Sequence, residues 1–161
     1  MKRLRITILA ITMIVAVTSL GALPASAGMH RAAHNHRTHK QDPYRHRMFK
    51  ATNGSRSSHH RGRVSLSDRI SALAQRHSAE MAKRGRLFHT SNVGRYLAGV
   101  NWHRWGENIG YMHGEDVQLL EQAFMNSPVH RENILNGGFH HVAVGTVYSK
   151  GRLWVTVFFY G

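Results

Sequence analysis

The sequence contains no cysteine, and it has only eight acidic residues against twenty-two lysines and arginines. Exported proteins of this size often carry disulfide bonds. Without cysteine, a folded domain must depend on its apolar core alone. The shortage of acidic residues leaves a formal net charge of +14, which favours anionic partners such as a wall polymer or a lipid surface, or serves solubility with no specific partner. Nothing in the sequence indicates specific nucleic-acid recognition.

Long apolar runs are also scarce. One of the few lies at the N-terminus. Three basic residues within the first five positions precede a mostly apolar stretch over residues 6–20, and a small-residue Ala-Ser-Ala pattern ends at Ala27. The run is short for a membrane span, which needs about 20 apolar residues. The pattern predicts a cleaved signal peptide over residues 1–27, with an uncleaved anchor as the alternative. We therefore expect a secreted protein with no transmembrane segment after cleavage, either released or held at the cell wall by charge.

Residues 28–41 are polar, basic and rich in histidine, with almost no apolar side chains. Such a segment cannot bury enough surface to order itself, and we predict a disordered basic tail. Histidine-rich tracts can bind metal, but these spacings match no closed site. The folded domain is expected over residues 42–161, which is enough for one hydrophobic core.

The domain begins with a helical pattern. Tyr44, Met48 and Ala51 lie at helical spacing, after a proline suited to the first helical position. Gly54 interrupts this spacing, so we predict that the helix ends there and that residues 55–63 form a loop.

Three further helices are predicted from apolar spacing and capping residues. The first covers about residues 66–84, opens on a capping-box-like Ser-Leu-Ser-Asp and ends at Gly85. The second covers about residues 116–126. In the short third helix, Ser127 is the N-cap and Pro128 the first helical residue.

The C-terminus predicts a β-hairpin. Residues 142–148 are rich in β-branched side chains, residues 149–152 make a turn, and residues 153–160 form a continuous apolar strand of the kind that is covered on both faces. A short strand is also expected near residues 107–109. Helices combined with a small antiparallel sheet favour an α/β or α+β sandwich.

Three short stretches occur in a fixed order along the domain. They are Leu-Phe-His ending at His89, Trp-Gly-Glu-Asn-Ile-Gly starting at Trp105, and Ser-Pro-Val-His-Arg-Glu-Asn-Ile-Leu-Asn starting at Ser127. Their order and flanking helices resemble the CAP superfamily (the SCP/PR-1/antigen 5 group), in its bacterial, secreted, cysteine-free form. The resemblance covers about residues 44–161. It implies an α/β fold of the α-β-α sandwich type, with helices on both sides of a small antiparallel sheet.

The resemblance also implies a site. Three residues would line the central cleft: His89, Glu107 and His130. Three more would lie beside it as candidate ligand-binding residues: Asn108, Ser127 and Asn133. Two neutral imidazoles and a carboxylate can bind Zn²⁺ or another divalent cation and leave positions open for water or substrate. The three cleft residues are therefore candidate metal ligands, and candidate catalytic residues if the cleft is enzymatic.

Three functions fit this site. The cleft can hold a small lipid, peptide or wall fragment without catalysis. It can instead support a metal-assisted hydrolase, a peptidase or wall hydrolase, in which Glu107 acts as general base on a metal-bound water. The protein can also act as a surface-adhesion protein through its basic tail. We favour the first over the enzyme, which stays open as the alternative, and we expect a monomer.

Other side chains near the site have simpler interpretations. A triad of Ser127, His130 and Glu107 is disfavoured, because an N-cap hydroxyl is expected to bond backbone N–H groups. Asn108 and Asn133 are as readily explained by bonds that shape the cleft wall. His77 lies on the apolar face of its predicted helix and is expected to be a core or half-buried histidine.

Overall fold

The structure, a computed structural model, describes residues 43–161. The predicted signal peptide and basic tail fall outside the described residues and remain predictions. Within the described part, no helix is long and apolar enough to span a bilayer. Its helices and strands follow in this order: α1 (Pro43–Ser58), β1 (Ser65–Leu66), α2 (Asp68–Arg84), α3 (Val93–Tyr96), β2 (Trp105–His113), α4 (Val117–Asn126), α5 (Pro128–Leu135), β3 (His141–Ser149) and β4 (Arg152–Tyr160).

The four strands form one sheet with the order β1-β3-β4-β2. β3 and β4 make an antiparallel hairpin, β2 pairs antiparallel with β4, and the two-residue β1 pairs parallel with the start of β3. Helices lie on both faces of this sheet, which confirms the predicted α/β fold. The parallel pairing of β1 is not predicted by the sequence, because two residues are too few to show a strand pattern.

Both faces of β4 are buried, as its continuous apolar sequence predicts. Val155, Val157 and Phe159 belong to a core cluster with residues of α1, α4 and α5. Phe158 and Tyr160 point the other way and pack with residues of α2 and α3. The alternation follows from the two-residue period of a strand, and it makes β4 the middle of a three-layer sandwich.

The β3–β4 turn forms where the sequence predicts it. Lys150 and Gly151 both have positive φ, 51° and 72°, as a two-residue type I′ turn requires. Glycine adopts this conformation at no steric cost. Lys150 is held in it by the register of the two strands, and its exposed side chain lies at the tip of the hairpin.

Helix α1 continues past Gly54 to Ser58, so the prediction that it ends at Gly54 is wrong. Gly54 is exposed, and an exposed glycine inside a helix costs only about 1 kcal/mol. The residues on either side gain more by staying helical. Asn53 is 1% exposed and its side chain amide bonds both backbone groups of Val64, at 2.9 and 3.1 Å. This pair of bonds closes the loop that follows α1.

Arg56 forms the second anchor of the same helix. It is 1% exposed, and its guanidinium donates to four backbone carbonyls. Nε bonds Gly62 at 2.6 Å, Nη1 bonds Ile134 at 2.8 Å and Asn136 at 2.9 Å, and Nη2 bonds Phe139 at 3.3 Å. One side chain thereby connects α1 to its own loop, to the end of α5 and to the segment that leads into β3.

Helix α2 begins two residues later than predicted. Ser65 and Leu66 pair with β3 instead of entering the helix. Ser67 is the N-cap, and its hydroxyl accepts from the Ile70 amide at 3.4 Å. The helix ends at Gly85 with a φ of 65°, in the left-handed conformation predicted there.

β1 pairs only with the start of β3, and polar side chains of α2 bond the edge of β3 that follows. Ser71 Oγ accepts from the Val144 amide at 3.0 Å, and the Gln75 side chain bonds both backbone groups of Thr146, at 2.6 and 2.8 Å. Gly145 permits this approach, since a Cβ there would collide with the α2 backbone. An open strand edge is thus satisfied within the chain.

Glu121 is a buried carboxylate between α4 and α1. It is 3% exposed. Thr52 Oγ1 donates to its Oε2 at 3.3 Å, whereas Oε1 has no hydrogen-bond partner among the described residues. Burial raises the pKa of Glu121, and the hydrogen bond from Thr52 opposes that shift in part.

Replacing Arg56 with lysine is expected to destabilise the fold strongly. Lysine keeps the charge, but its single ammonium group cannot reach carbonyls that lie around the whole edge of the guanidinium. Each buried carbonyl left without a donor costs about 1–3 kcal/mol, so urea unfolding should show a loss of about 2–4 kcal/mol. Arg69→Lys is the matched control, since Arg69 is exposed and bonds one carbonyl, that of Ala98. Equal effects of the two substitutions would contradict the anchoring role of Arg56.

Glu121→Gln is expected to stabilise the protein at pH 8. With its pKa raised in the folded state, Glu121 lowers stability when it is ionised at high pH. That penalty disappears as the pH falls through the raised pKa towards the ordinary glutamate pKa of 4.5. The variant should therefore unfold at higher denaturant concentration than wild type at pH 8, with a difference that shrinks by pH 5. Glu132→Gln removes an exposed carboxylate and should show no such pH-dependent gain.

Candidate functional site

Strand β2 divides the site between the two faces of the sheet. Glu107 and Asn108 are neighbours in this strand, so their side chains point to opposite faces. Glu107 faces the side of α2 and bonds His89, whereas Asn108 faces the side of α5, where His130 lies. β2 pairs only with β4 in the described part of the chain and is an edge strand. Residues from both faces can therefore meet around its free edge.

Glu107 is the buried centre of the arrangement, with a side chain that is 1% exposed. Its Oε2 accepts two hydrogen bonds, from His89 Nδ1 at 2.8 Å and from the Thr90 amide at 2.9 Å. Because a carboxylate accepts, His89 Nδ1 carries the ring proton. In the neutral ring, Nε2 then has a free lone pair. The His89 side chain is 33% exposed, so this ring lies at the surface of the cleft.

His77 also belongs to this site and is half-buried, in agreement with its place on the apolar face of α2. Its Nε2 lies 2.8 Å from the Phe88 carbonyl and 3.9 Å from Glu107 Oε1. Its ring also contacts the Phe88 ring edge-on, with centroids 5.0 Å apart. Oε1 has no hydrogen-bond partner among the described residues. His77 therefore fixes the backbone just before His89 and lies close to the second carboxylate oxygen of Glu107.

His130 lies in the first turn of α5. Its ring packs on the Phe124 ring, with centroids 5.0 Å apart, and its backbone carbonyl accepts from Asn108 Nδ2 at 2.9 Å. Burial lowers the pKa of His130, and the nearby charge of His89 lowers it further. His130 thus stays neutral to lower pH than a free histidine and keeps the form that binds metal.

Asn108 and Asn133 shape the cleft wall. Asn108 is fully buried, and Asn133 donates from Nδ2 to Asn108 Oδ1 at 2.9 Å. Gly106 makes room for this contact, because a Cβ there would collide with the Asn133 side chain. Both amides are used within the protein. The structure therefore gives them the cleft-wall role that the sequence analysis offered as one interpretation, and a ligand-binding role for them remains a prediction.

Ser127 is the N-cap of α5, as predicted, but its hydroxyl makes no capping bond. Its backbone carbonyl accepts from the Arg131 amide at 2.8 Å. The Ser-His-Glu triad does not assemble, because the Glu107 carboxylate bonds His89 and Thr90.

The three cleft residues do not form a three-ligand metal site. Within residues 43–161, no group of three or more histidine, aspartate or glutamate side chains is arranged to hold a metal ion. The geometry of Glu107 explains this, since its carboxylate turns towards the Nδ1 atom of His89. The chemistry of the set fits a cation held by two imidazoles, with the carboxylate orienting one of them.

Known proteins with the same pattern identify the chain's family. The model of the CAP family, described as the cysteine-rich secretory protein family, matches residues 49–159. The uncharacterized protein YkwD of Bacillus subtilis (strain 168) is 31% identical over 121 residues, which cover 71% of this chain and 46% of YkwD.

Two solved structures of bacterial proteins have a fold similar to that of this chain. A Bacillus anthracis extracellular protein containing an SCP domain is 30% identical with a TM-score of 0.62, over 73% of this chain and 40% of that one. A cysteine-rich secretory protein of Staphylococcus aureus is 20% identical with a TM-score of 0.60, over 80% of this chain and 42% of that one.

The chain belongs to the CAP family, in a cysteine-free form with bacterial relatives. This confirms the resemblance seen in its motifs. The chain spans less than half the length of the B. subtilis relative and of the B. anthracis structure.

The Glu107 bond should set the tautomer of His89. Nitrogen NMR of the imidazole is expected to show the proton on Nδ1 in the wild type, because the buried carboxylate accepts from that atom. Glu107→Leu should remove this preference and shift the ring towards the other tautomer. Glu132→Gln removes an exposed carboxylate two residues after His130 and should leave the His89 signals unchanged. A wild-type ring with its proton on Nε2 would contradict the assignment.

Proposed function

We propose that this chain is an extracellular CAP-domain binding protein whose cleft holds a divalent cation between His89 and His130, with a small ligand completing the coordination. The ligand is a small lipid, a peptide or a wall fragment. The extracellular location is supported by the description of the B. anthracis relative as an extracellular protein and by the signal-peptide pattern of the sequence.

The Glu107–His89 bond is the observation that carries the proposal. A carboxylate bonded to one nitrogen of a histidine is the usual partner of a metal-binding imidazole, since it fixes the tautomer and raises the basicity of the other nitrogen. In this chain the bond is 2.8 Å long and fully buried on the carboxylate side. It points to His89 Nε2 as the ligand atom.

His130 supplies the second ligand of the proposal. Burial lowers its pKa, and the nearby charge of His89 lowers it further, so the ring keeps the neutral form that a cation needs. Two imidazoles repel each other when both are protonated, and a divalent cation between them favours the neutral form of both. With two protein ligands, most coordination positions stay open. A cation held in this way would bind a donor atom of a small ligand and polarise it.

Binding is favoured over hydrolysis by the position of Glu107. A general base must reach the water that it activates. The Glu107 side chain is 1% exposed, one of its oxygens already accepts two hydrogen bonds, and the other lies within 3.9 Å of His77. This carboxylate is therefore suited to orienting His89 and poorly suited to taking a proton from water in the cleft.

Zinc titration by calorimetry tests the proposal. A chain without residues 1–41, whose folding is first checked by circular dichroism, avoids binding by the tail histidines. We expect one Zn²⁺ per chain, and loss of that binding in His89→Ala/His130→Ala, because both imidazole ligands are removed. His140→Ala/His141→Ala is the matched control, since both of these histidines are exposed and lie outside the cleft.

The outcome is decisive in both directions. Binding that the control variant keeps and the cleft variant loses supports a two-histidine site. No binding, or an equal loss in both variants, contradicts the proposed cation site and leaves the cleft as a site for uncharged ligands only.

A further inference from the structure

We propose that a second cleft, between the end of α2 and the β3–β4 turn, binds phosphate groups of a soluble polyanion. The cleft has a volume of about 310 Å³. Half of its lining residues are cations, and none is acidic: Lys83, Arg84, Lys150 and Arg152. The cleft shares no lining residue with the His89 and His130 site, so the inference is independent of the proposed function.

Two separate elements bring these cations together. Lys83 and Arg84 end helix α2, whereas Lys150 occupies the turn and Arg152 opens β4. The type I′ turn directs the hairpin tip towards the end of the helix. Trp154, which is 2% exposed, lies between them and closes the cleft from below. The cationic set is therefore a product of tertiary structure and does not arise from a run of basic residues.

Aromatic rings hold the guanidinium groups in place. The Arg84 guanidinium lies 4.9 Å from the Phe88 ring centre, and the Arg152 guanidinium lies 5.1 Å from the Tyr111 ring centre. Arg86 stacks on the same Phe88 ring at 5.6 Å. Stacking restrains these side chains and leaves the edges of their planar groups accessible, apart from the Arg84 Nε that bonds Glu80. Planar guanidinium edges match the oxygens of phosphate in a bidentate fashion.

A purely local role does not account for the whole cluster. Lys83 and Arg84 lie in the last turn of α2 and offset the negative end of its dipole, which amounts to roughly half an elementary charge. Arg84 also pairs with Glu80 at 2.7 Å. The helix dipole and Glu80 together neutralise less than the two positive charges of Lys83 and Arg84. Lys150 and Arg152 then add two further cations that the helix does not need.

The shape and charge of the cleft select the class of ligand. Several cations in one concavity repel each other, and a multivalent anion relieves that repulsion. A volume near 300 Å³ is at the lower limit for small-molecule sites and suits one or two phosphate groups with their linkage. A bilayer surface cannot enter such a concavity. We therefore favour a phosphodiester or phosphoanhydride polymer in solution.

Titration of the full chain with inorganic pyrophosphate tests the inference at the level of single residues. Backbone amide NMR should show saturable shifts in residues 82–86 and 149–152, apart from any change in the basic tail. In Lys83→Gln/Lys150→Gln the dissociation constant at this site should rise about tenfold or more, because two charge-assisted contacts are lost. Both lysines are exposed, so the fold should be unaffected.

The control is Arg61→Gln/Arg63→Gln. It changes the net charge by the same amount, at exposed positions in the loop between α1 and β1, outside the cleft lining. Its dissociation constant should change less than about twofold. Equal weakening in both variants, or no shifts in residues 82–86 and 149–152, would overturn the inference. It would also be overturned if Lys83 and Lys150 are needed for binding phosphatidylglycerol vesicles while pyrophosphate does not bind.

Discussion

A buried arginine holds together the elements that frame the cleft. Arg56 donates to the carbonyls of Ile134 and Asn136 at the end of α5, and to that of Phe139 beyond it. Carbonyls at the end of a helix lack intrahelical donors and carry partial negative charge, so they can satisfy a buried cation without a carboxylate. This matters in a chain with eight acidic residues. With its C-terminal end fixed to α1, α5 presents His130 from its first turn.

The edge position of β2 then decides how the site is divided. If β2 lay inside the sheet, it would have a neighbouring strand on each side. Those strands would keep the side chains of its two faces apart. At the edge, Glu107 bonds His89 on one side while Asn108 bonds the His130 backbone on the other. Gly106 removes the side chain that would block Asn133. The strand therefore fixes both histidines with adjacent residues, and small shifts of β2 would move both at once.

Local rules predict the parts of this structure that depend on local geometry. The hairpin turn at Gly151 and the end of α2 at Gly85 follow from the access of glycine to positive φ, and the start of α5 at Pro128 follows from the fixed φ of proline. Gly54 shows the limit of such rules, since long-range bonds of Asn53 and Arg56 outweigh its local cost.

The site itself is less predictable for a related reason. The motifs identify its histidines and its carboxylate, but the pattern does not say which nitrogen meets which oxygen. That depends on the loop after α2, where Thr90 and His89 converge on Glu107. His77 appears in the sequence as an apolar-face residue, and its role follows only from the position of Phe88.

The scarcity of acidic residues links the core of the protein to its surface. Two of its few carboxylates, Glu107 and Glu121, are buried and unavailable to surface cations. Among the described residues, lysine and arginine form ion pairs only with Asp68 and Glu80. Most surface cations therefore lack an internal counter-charge, and they attract external anions most strongly where the fold concentrates them. The last turn of α2 facing the hairpin tip is such a place, because neither element contributes an acid to the cleft between them.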